Sequence, residues 1–463
     1  MKTFLTDLRI NHLVWLIVIS LIVKVGFYLT YTPGIYSDTS GYVDLARIIL
    51  TNSWDAFDGL RTPGYPGFLI LLSLNPYLVT AVQSLLGLGV VILVFMIGKS
   101  VLENTTLAFW LGLLCLGSVN TLFMDMTLLT ESLTTFLLVL LIFLSLYLLK
   151  SNPLQCLWLS TSLGTVVGLA FLVRPNLLIL APIIFMWVIY VVRYKFKSSL
   201  RWQTTALSVF LLPMLLAYVG WSAVSLMQFD TFQYSNASGI YLTSHTGSFI
   251  ELADDEHAMI RDRVLERRYQ GYMEFYDILY PTASGIAHHK AHAAEWYVAG
   301  DLVIENQIYS LADVNELFLN MNMDLIQDYP LLYIESVYEA FIRYGLGENL
   351  VLNSNFRMNG LGMLFNLVWM VQVIFIRTAF LLVYLISVLM VLSLIKREKS
   401  GTYMLMLMTC LVIAFSGLFQ ALAINVANNR MGLPFQPLVF LVVVYGVSEL
   451  KILGKLPMSN IDK

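Results

Sequence analysis

The sequence predicts an all-α polytopic membrane protein with about ten transmembrane helices. Three observations carry that prediction. Hydrophobic residues make up 58% of the 463 and charged residues only 12%. The apolar residues are gathered into runs of about 18 to 23, long enough to span a bilayer. The basic residues fall in alternate loops. A water-soluble chain of this size needs far more polar surface, because even large domains leave roughly a quarter of their unfolded-chain surface wet. The formal net charge of −3 is near balance and argues for neither a nucleic-acid partner nor a strongly acidic substrate.

The first apolar run, residues 12–30, follows the short basic start Met1 to Arg9 and continues without a small-residue cleavage site, so it reads as a retained signal anchor. Further spans are expected at 77–98, 106–124, 128–149, 155–173, 176–192, 204–227, 373–395, 402–424 and 433–450. An even number puts both termini on one side. That side collects Lys2, Arg9, Lys99, Lys150, the cluster from Arg193 to Arg201, Lys396 to Lys399, Lys451 and Lys455, which makes it cytoplasmic by the positive-inside rule. The chain divides into an N-terminal membrane module (1–227), an extracytoplasmic segment (228–371) and C-terminal membrane helices (372–463).

The opposite face receives a first loop of about residues 31–76 and the long segment 228–371. In the first loop Tyr42, Leu45, Ala46 and Ile49 share one helical face, as in a helix lying at a membrane surface. Gly59 to Gly67 then breaks the pattern before a short apolar stretch, Phe68 to Leu74. Helical runs such as Val314 to Met323 and Leu331 to Arg343 suggest a helical cap in the long segment, and no fixed-period repeat occurs. Cys115, Cys156 and Cys410 lie in or beside apolar runs, with no Cys/His metal spacing.

Asp38, in Tyr36-Ser-Asp-Thr-Ser-Gly-Tyr42, stands just outside the first span. A carboxylate there can serve as a general base, or it can cap the helix that begins at Thr39. Asp125 and Glu131 flank the start of the fourth span, with Glu131 about one turn inside it. An acid in an apolar span usually has a partner, so Glu131 is a candidate for catalysis or for an interhelical hydrogen bond, and Asp125 for a turn pointing toward Asp38. Arg61, Arg174 and Arg430 each fall at an outer turn near proline, where a guanidinium can bind a phosphate in a bidentate fork or snorkel to the interface. Lys24 and Arg377 lie within spans, where each can pair with a carboxylate or snorkel. His288, His289 and His292 have the spacing of metal ligands but no fourth partner. Asn236-Ala-Ser238 matches a glycosylation acceptor triplet.

Four stretches together resemble the GT-C superfamily of integral membrane glycosyltransferases, the group of the protein O-mannosyltransferases and the aminoarabinose transferase. They are Ser37-Asp38 with Gly41-Tyr42 and Arg61-Thr-Pro-Gly-Tyr-Pro-Gly-Phe68; Thr130-Glu131-Ser-Leu133; Leu172-Val-Arg174-Pro175; and Asn429-Arg430 with Pro434 and Pro437. Their order and sidedness match that superfamily over about residues 10–450. The resemblance implies transfer of a sugar from a polyprenyl-phosphate donor, with Asp38 as the catalytic first-loop acid. On that expectation Asp125 or Glu131 organises the site, and Arg61, Arg174 and Arg430 hold the donor phosphate. The sequence departs from the protein O-mannosyltransferases where Thr39 follows Asp38 in place of a second acid, and Met431 stands where an aromatic is common. The acceptor therefore stays open among glycan, lipid and protein. A carboxylate base needs no cofactor, although carboxylates can also ligate a divalent metal. The competing classes are a polysaccharide polymerase or ligase using a lipid-diphosphate glycan, and a lipid or solute transporter.

Overall fold

Long runs of Leu, Val, Ile and Phe can satisfy their backbone groups in lipid only by coiling, because hydrocarbon offers no hydrogen bonds. The computed structural model follows that rule, and no strand occurs among the described residues. The structure describes residues 12–195, 199–271, 294–306, 310–345, 349–394, 400–425 and 428–453. His288, His289 and His292 lie outside them, as do Lys2, Arg9, Lys197, Lys396 to Lys399 and Lys455.

The first helix, α1 (His12–Thr30), leads through an extended stretch into α2 (Ser37–Thr51), α3 (Gly64–Leu71) and α4 (Pro76–Leu102). Then follow α5 (Thr105–Leu116), α6 (Val119–Asp125), α7 (Glu131–Lys150), α8 (Pro153–Val173), α9 (Leu180–Tyr190) and α10 (Leu200–Phe229). A set of shorter helices comes next: α11 (Ser238–Thr246), α12 (Ala258–Gly271), α13 (Ala294–Asn306), α14 (Leu311–Asp328) and α15 (Pro330–Tyr344). The chain returns through α16 (Leu361–Ser393), α17 (Gly401–Ala423), the short α18 (Asn428–Met431) and α19 (Gln436–Leu453).

Among the described residues eight helices are long and apolar enough to cross a membrane, which makes this a multi-pass membrane protein. The expected count of ten is reduced at two places. The run at 106–124 is bent by 60° between α5 and α6. Gln372 of α16 seals the break, donating to the Gly117 carbonyl at 2.7 Å and accepting from the Val119 N–H at 2.9 Å. The last apolar run, Leu433–Glu449, is shorter than a full span, and it opens in a tight turn at Pro434. The span expected at 373–395 is part of a longer helix, since α16 runs Leu361–Ser393.

The main core is built from α4, α5, α7, α8, α9, α10, α16, α17 and α19, with Tyr344 at the end of α15. Its closest approach is between α8 and α10, where a Cβ on Gly164 would stand 1.9 Å from the Phe210 carbonyl oxygen. Small residues at such crossings let backbones touch, and that contact replaces the hydrophobic drive that lipid removes. A second core joins Ile240, Phe249, Ile260, Val298, Phe318 and Leu325 into the helical cap expected for the long segment. Asn236 is fully buried against the first loop, its N–H donating to the Gly59 carbonyl at 2.9 Å, so the glycosylation triplet is not exposed in the folded protein. The same contact ties the first loop to the start of the cap.

Candidate active site

The first loop is shaped by two features of its sequence. Tyr36 N donates to Thr39 Oγ1 at 3.0 Å, and the Thr39 hydroxyl donates to the Leu128 carbonyl at 3.1 Å. Thr39 therefore supplies the capping contact at the start of α2, the role that Asp38 was a candidate for, and Asp38 sits in the first turn with its carboxylate turned to other partners. Gly59, at φ +73°, and the Pro63 turn then bring Arg61 back over α2. Arg61 lies on the Tyr42 ring, 4.8 Å from its centroid, and Gly41 makes room, since a Cβ there would stand 3.2 Å from Arg61 Nε.

Arg61 Nη2 donates to Asp38 Oδ1 at 2.8 Å, and Arg430 Nη2 donates to Asp38 Oδ2 across 392 positions of sequence. Arg430 Nε also lies 3.1 Å from Glu131 Oε1. That same oxygen accepts from Arg174 Nη2 at 2.6 Å, while Arg174 Nε donates to Thr130 Oγ1 at 2.7 Å. The result is one continuous chain, Arg61, Asp38, Arg430, Glu131, Arg174, whose three guanidiniums exceed its two carboxylates by one positive charge. Glu131 Oε2 is buried and has no hydrogen-bond partner among the described residues.

Five of the six sequence candidates are thus in contact. The sixth is not. Asp125 points away from Asp38 and accepts from Lys24 Nζ and from the Ser132 hydroxyl, the latter at 2.8 Å. Glu131 is also not a turn inside its helix; it is the first residue of α7. Both corrections have one cause. Gln83 of α4 donates its side-chain amide to the carbonyls of Met124, Asp125 and Thr127, which holds the segment before α7 in a non-helical turn. Tyr65 in turn donates to Gln83 Oε1 at 2.8 Å. Gln83 gave no sequence signal, because an uncharged side chain in an apolar run looks like a tolerated polar residue.

The Lys24–Asp125 pair is nearly dry, with side-chain exposures of 6% and 5%. It fits because residue 87 is glycine: a Cβ there would stand 2.2 Å from Asp125 Oδ2 and 2.6 Å from Lys24 Nζ. Gly87→Ala is expected to cost about 1–3 kcal/mol by overpacking, read as lost resistance to denaturant in detergent. Unchanged stability would mean the pair is not seated there.

The Asp38 end of the chain is the open one, with 26% of that side chain exposed. Burial alone would raise the Asp38 pKa, but the Arg430 and Arg61 guanidiniums outweigh it and hold the carboxyl at about 2. Arg61 keeps its charge despite its burial, with the Asp38 carboxylate beside it, and Tyr241 also lies close enough to Arg61 to interact with it. Asp58 lies near Arg61 with its carboxyl raised by burial. No group of three or more His, Cys, Asp and Glu residues suited to a metal occurs among the described residues. Chemically, the arrangement is a cluster of three guanidiniums and two carboxylates, one of which is reachable from solvent. Neither family models, nor characterised proteins, nor solved structures match this chain.

Proposed function

We propose that this protein is a glycosyltransferase that moves a sugar from a polyprenyl-phosphate donor to an acceptor at the extracytoplasmic face, with both termini cytoplasmic. The observation that carries the reading is the contact chain from Arg61 to Arg174, with its one excess positive charge beside an accessible carboxylate. A donor phosphate is an anion that these arginines can take, and bidentate guanidiniums suit its geometry.

In the reaction an acceptor hydroxyl or amide attacks the anomeric carbon as the carbon–oxygen bond to phosphate breaks. The acceptor's proton passes to Asp38, and the bonding pair leaves with the polyprenyl phosphate, whose growing charge Arg61, Arg174 and Arg430 stabilise. A carboxylate held at about 2 is a weak base. Donor binding corrects this, because a phosphate draws Arg61 and Arg430 away from Asp38 and adds negative charge next to it; both effects raise its proton affinity. Glu131 keeps Arg174 and Arg430 in place meanwhile. The acceptor is a glycan, lipid or protein.

The test is mass spectrometry of lipids that copurify with the detergent-extracted protein, comparing wild type with Arg174→Ala and Arg430→Ala. A polyprenyl monophosphate or its sugar conjugate is expected in wild type and lost in the variants. A diphosphate-linked glycan would favour a polymerase or ligase, and absence of any isoprenoid from wild type would remove the basis for the reading.

A further inference from the structure

Helix α15 has three distinct faces. Ser336, Ala340 and Tyr344 recur at four-residue spacing and are buried. Glu335 and Glu339 form an exposed polar edge. Between these lies a third strip: Leu331, Ile334, Tyr338 and Ile342 are 78%, 59%, 64% and 48% exposed. At about 100° per residue these four fall within an arc of roughly 80°, so large apolar side chains stand in a continuous row that the described residues leave exposed. A helix facing water would carry its polar residues there.

One contact and one exposed face say what covers the row. The Tyr333 hydroxyl donates to the Leu422 carbonyl at 2.7 Å, in the last turn of the spanning helix α17. On α17 the residues Phe415, Leu418 and Leu422 are themselves exposed at helical spacing, which is the lipid-facing side of a span. Helix α15 thus starts against the end of a lipid-exposed face. With 15 residues it is about 22 Å long, too short to cross a core of about 30 Å.

Its other end reaches the site. Arg343 Nη1 donates to Asn425 Oδ1 at 3.3 Å, and Asn425 Nδ2 donates to Ser336 Oγ at 2.9 Å. Gly432 lies so close to Tyr344 that a Cβ on it would stand 2.1 Å from the Tyr344 carbonyl oxygen. These contacts grip the stretch on both sides of Arg430.

We infer that α15 is a membrane-interface helix: its Leu331, Ile334, Tyr338 and Ile342 row is seated in the acyl chains of the leaflet on the Asp38 side, its Glu335 and Glu339 edge faces the headgroups and water, and its C-terminal half holds the Arg430 stretch at headgroup depth. The partner is the lipid surface itself. The inference stands whether or not the site transfers sugar, because it needs only the exposed row and its continuity with a span.

The experiment places a nitroxide on single cysteines in the full-length protein in phosphatidylcholine liposomes. The labelled substitutions are Leu331→Cys, Ile334→Cys, Tyr338→Cys, Glu335→Cys and Glu339→Cys, all at exposed positions. Ile22→Cys on α1 serves as the lipid reference and Asp44→Cys as the aqueous one. The native cysteines are buried. Collision rates are measured with oxygen, which concentrates in acyl chains, and with a water-soluble nickel chelate. Labels at 331, 334 and 338 are expected to follow Ile22, with high oxygen and low nickel access, while those at 335 and 339 shift toward Asp44. Nickel access at all five positions would overturn the inference in favour of a water-facing cap. Low access to both reagents at 331, 334 and 338 would overturn it in favour of a protein partner or a second copy.

Discussion

Asp38→Asn is expected to lower turnover by about 10²- to 10⁴-fold while donor binding is kept or strengthened. The substitution removes the proton acceptor but nearly preserves shape. Arg61 keeps the Tyr42 ring beneath it, and Arg430 keeps its approach to Glu131. Removing one carboxylate raises the excess charge of the chain from one to two, counting Arg61, Arg174 and Arg430 against Glu131 alone. A phosphate therefore meets a more positive site, and the donor KM should not rise. A residue that served only to hold phosphate would show the opposite split, with KM up and kcat less affected. The checks are turnover, and titration of the detergent-solubilised variant with a polyprenyl monophosphate. Wild-type turnover in Asp38→Asn removes Asp38 from the chemistry.

The same carboxylate fixes the sign of a stability effect. Its pKa in the folded protein is about 2 against the usual 3.8 of an aspartate. Its contribution is therefore complete above the unfolded value and disappears as the pH falls through about 2. At neutral pH Asp38→Asn forfeits that contribution, which on a side chain open to water amounts to a small drop in Tm. A large drop would mean that the variant had lost its fold and that its inactivity carried no information about the base.

The parts of this site that were legible in the sequence are those where chemistry is costly. A carboxylate or guanidinium near an apolar run has to be accounted for, so Asp38, Arg61, Glu131, Arg174 and Arg430 stood out. Proline beside each arginine marked the turns that bring them to one end of the bundle. The spans were legible for the same reason, since lipid leaves a long apolar run few alternatives to helix. What was not legible depended on contacts across the chain. The bend at Gly117 is sealed by Gln372 and the turn before α7 is held by Gln83, and both are amides that leave hydropathy almost unchanged. Lys24 and Asp125 were each visible as an expensive charge, but 101 positions separate them and nothing local joined the two.

That pair separates architecture from chemistry. Lys24→Met leaves Asp125 without its counterion in a nearly dry site, and losing one partner of a buried pair costs about 3–5 kcal/mol. Lys24→Met combined with Asp125→Leu removes both charges together, and apolar side chains in place of a buried pair are often neutral or stabilising. The double variant should recover most of the stability that the single variant loses, and, because Asp125 contacts neither Asp38 nor the arginines, its activity as well. The corresponding treatment of the other buried pair, Glu131→Leu with Arg174→Met, should restore packing without restoring function, since it deletes one guanidinium from the arginine chain and releases Arg430 from Glu131. Denaturant stability and donor turnover measured on both double variants decide the matter. If the Lys24/Asp125 double variant is stable but inactive, Asp125 belongs to the chemistry after all. If the Glu131/Arg174 double variant is stable and active, the arginine chain is scaffolding and the phosphate is held elsewhere.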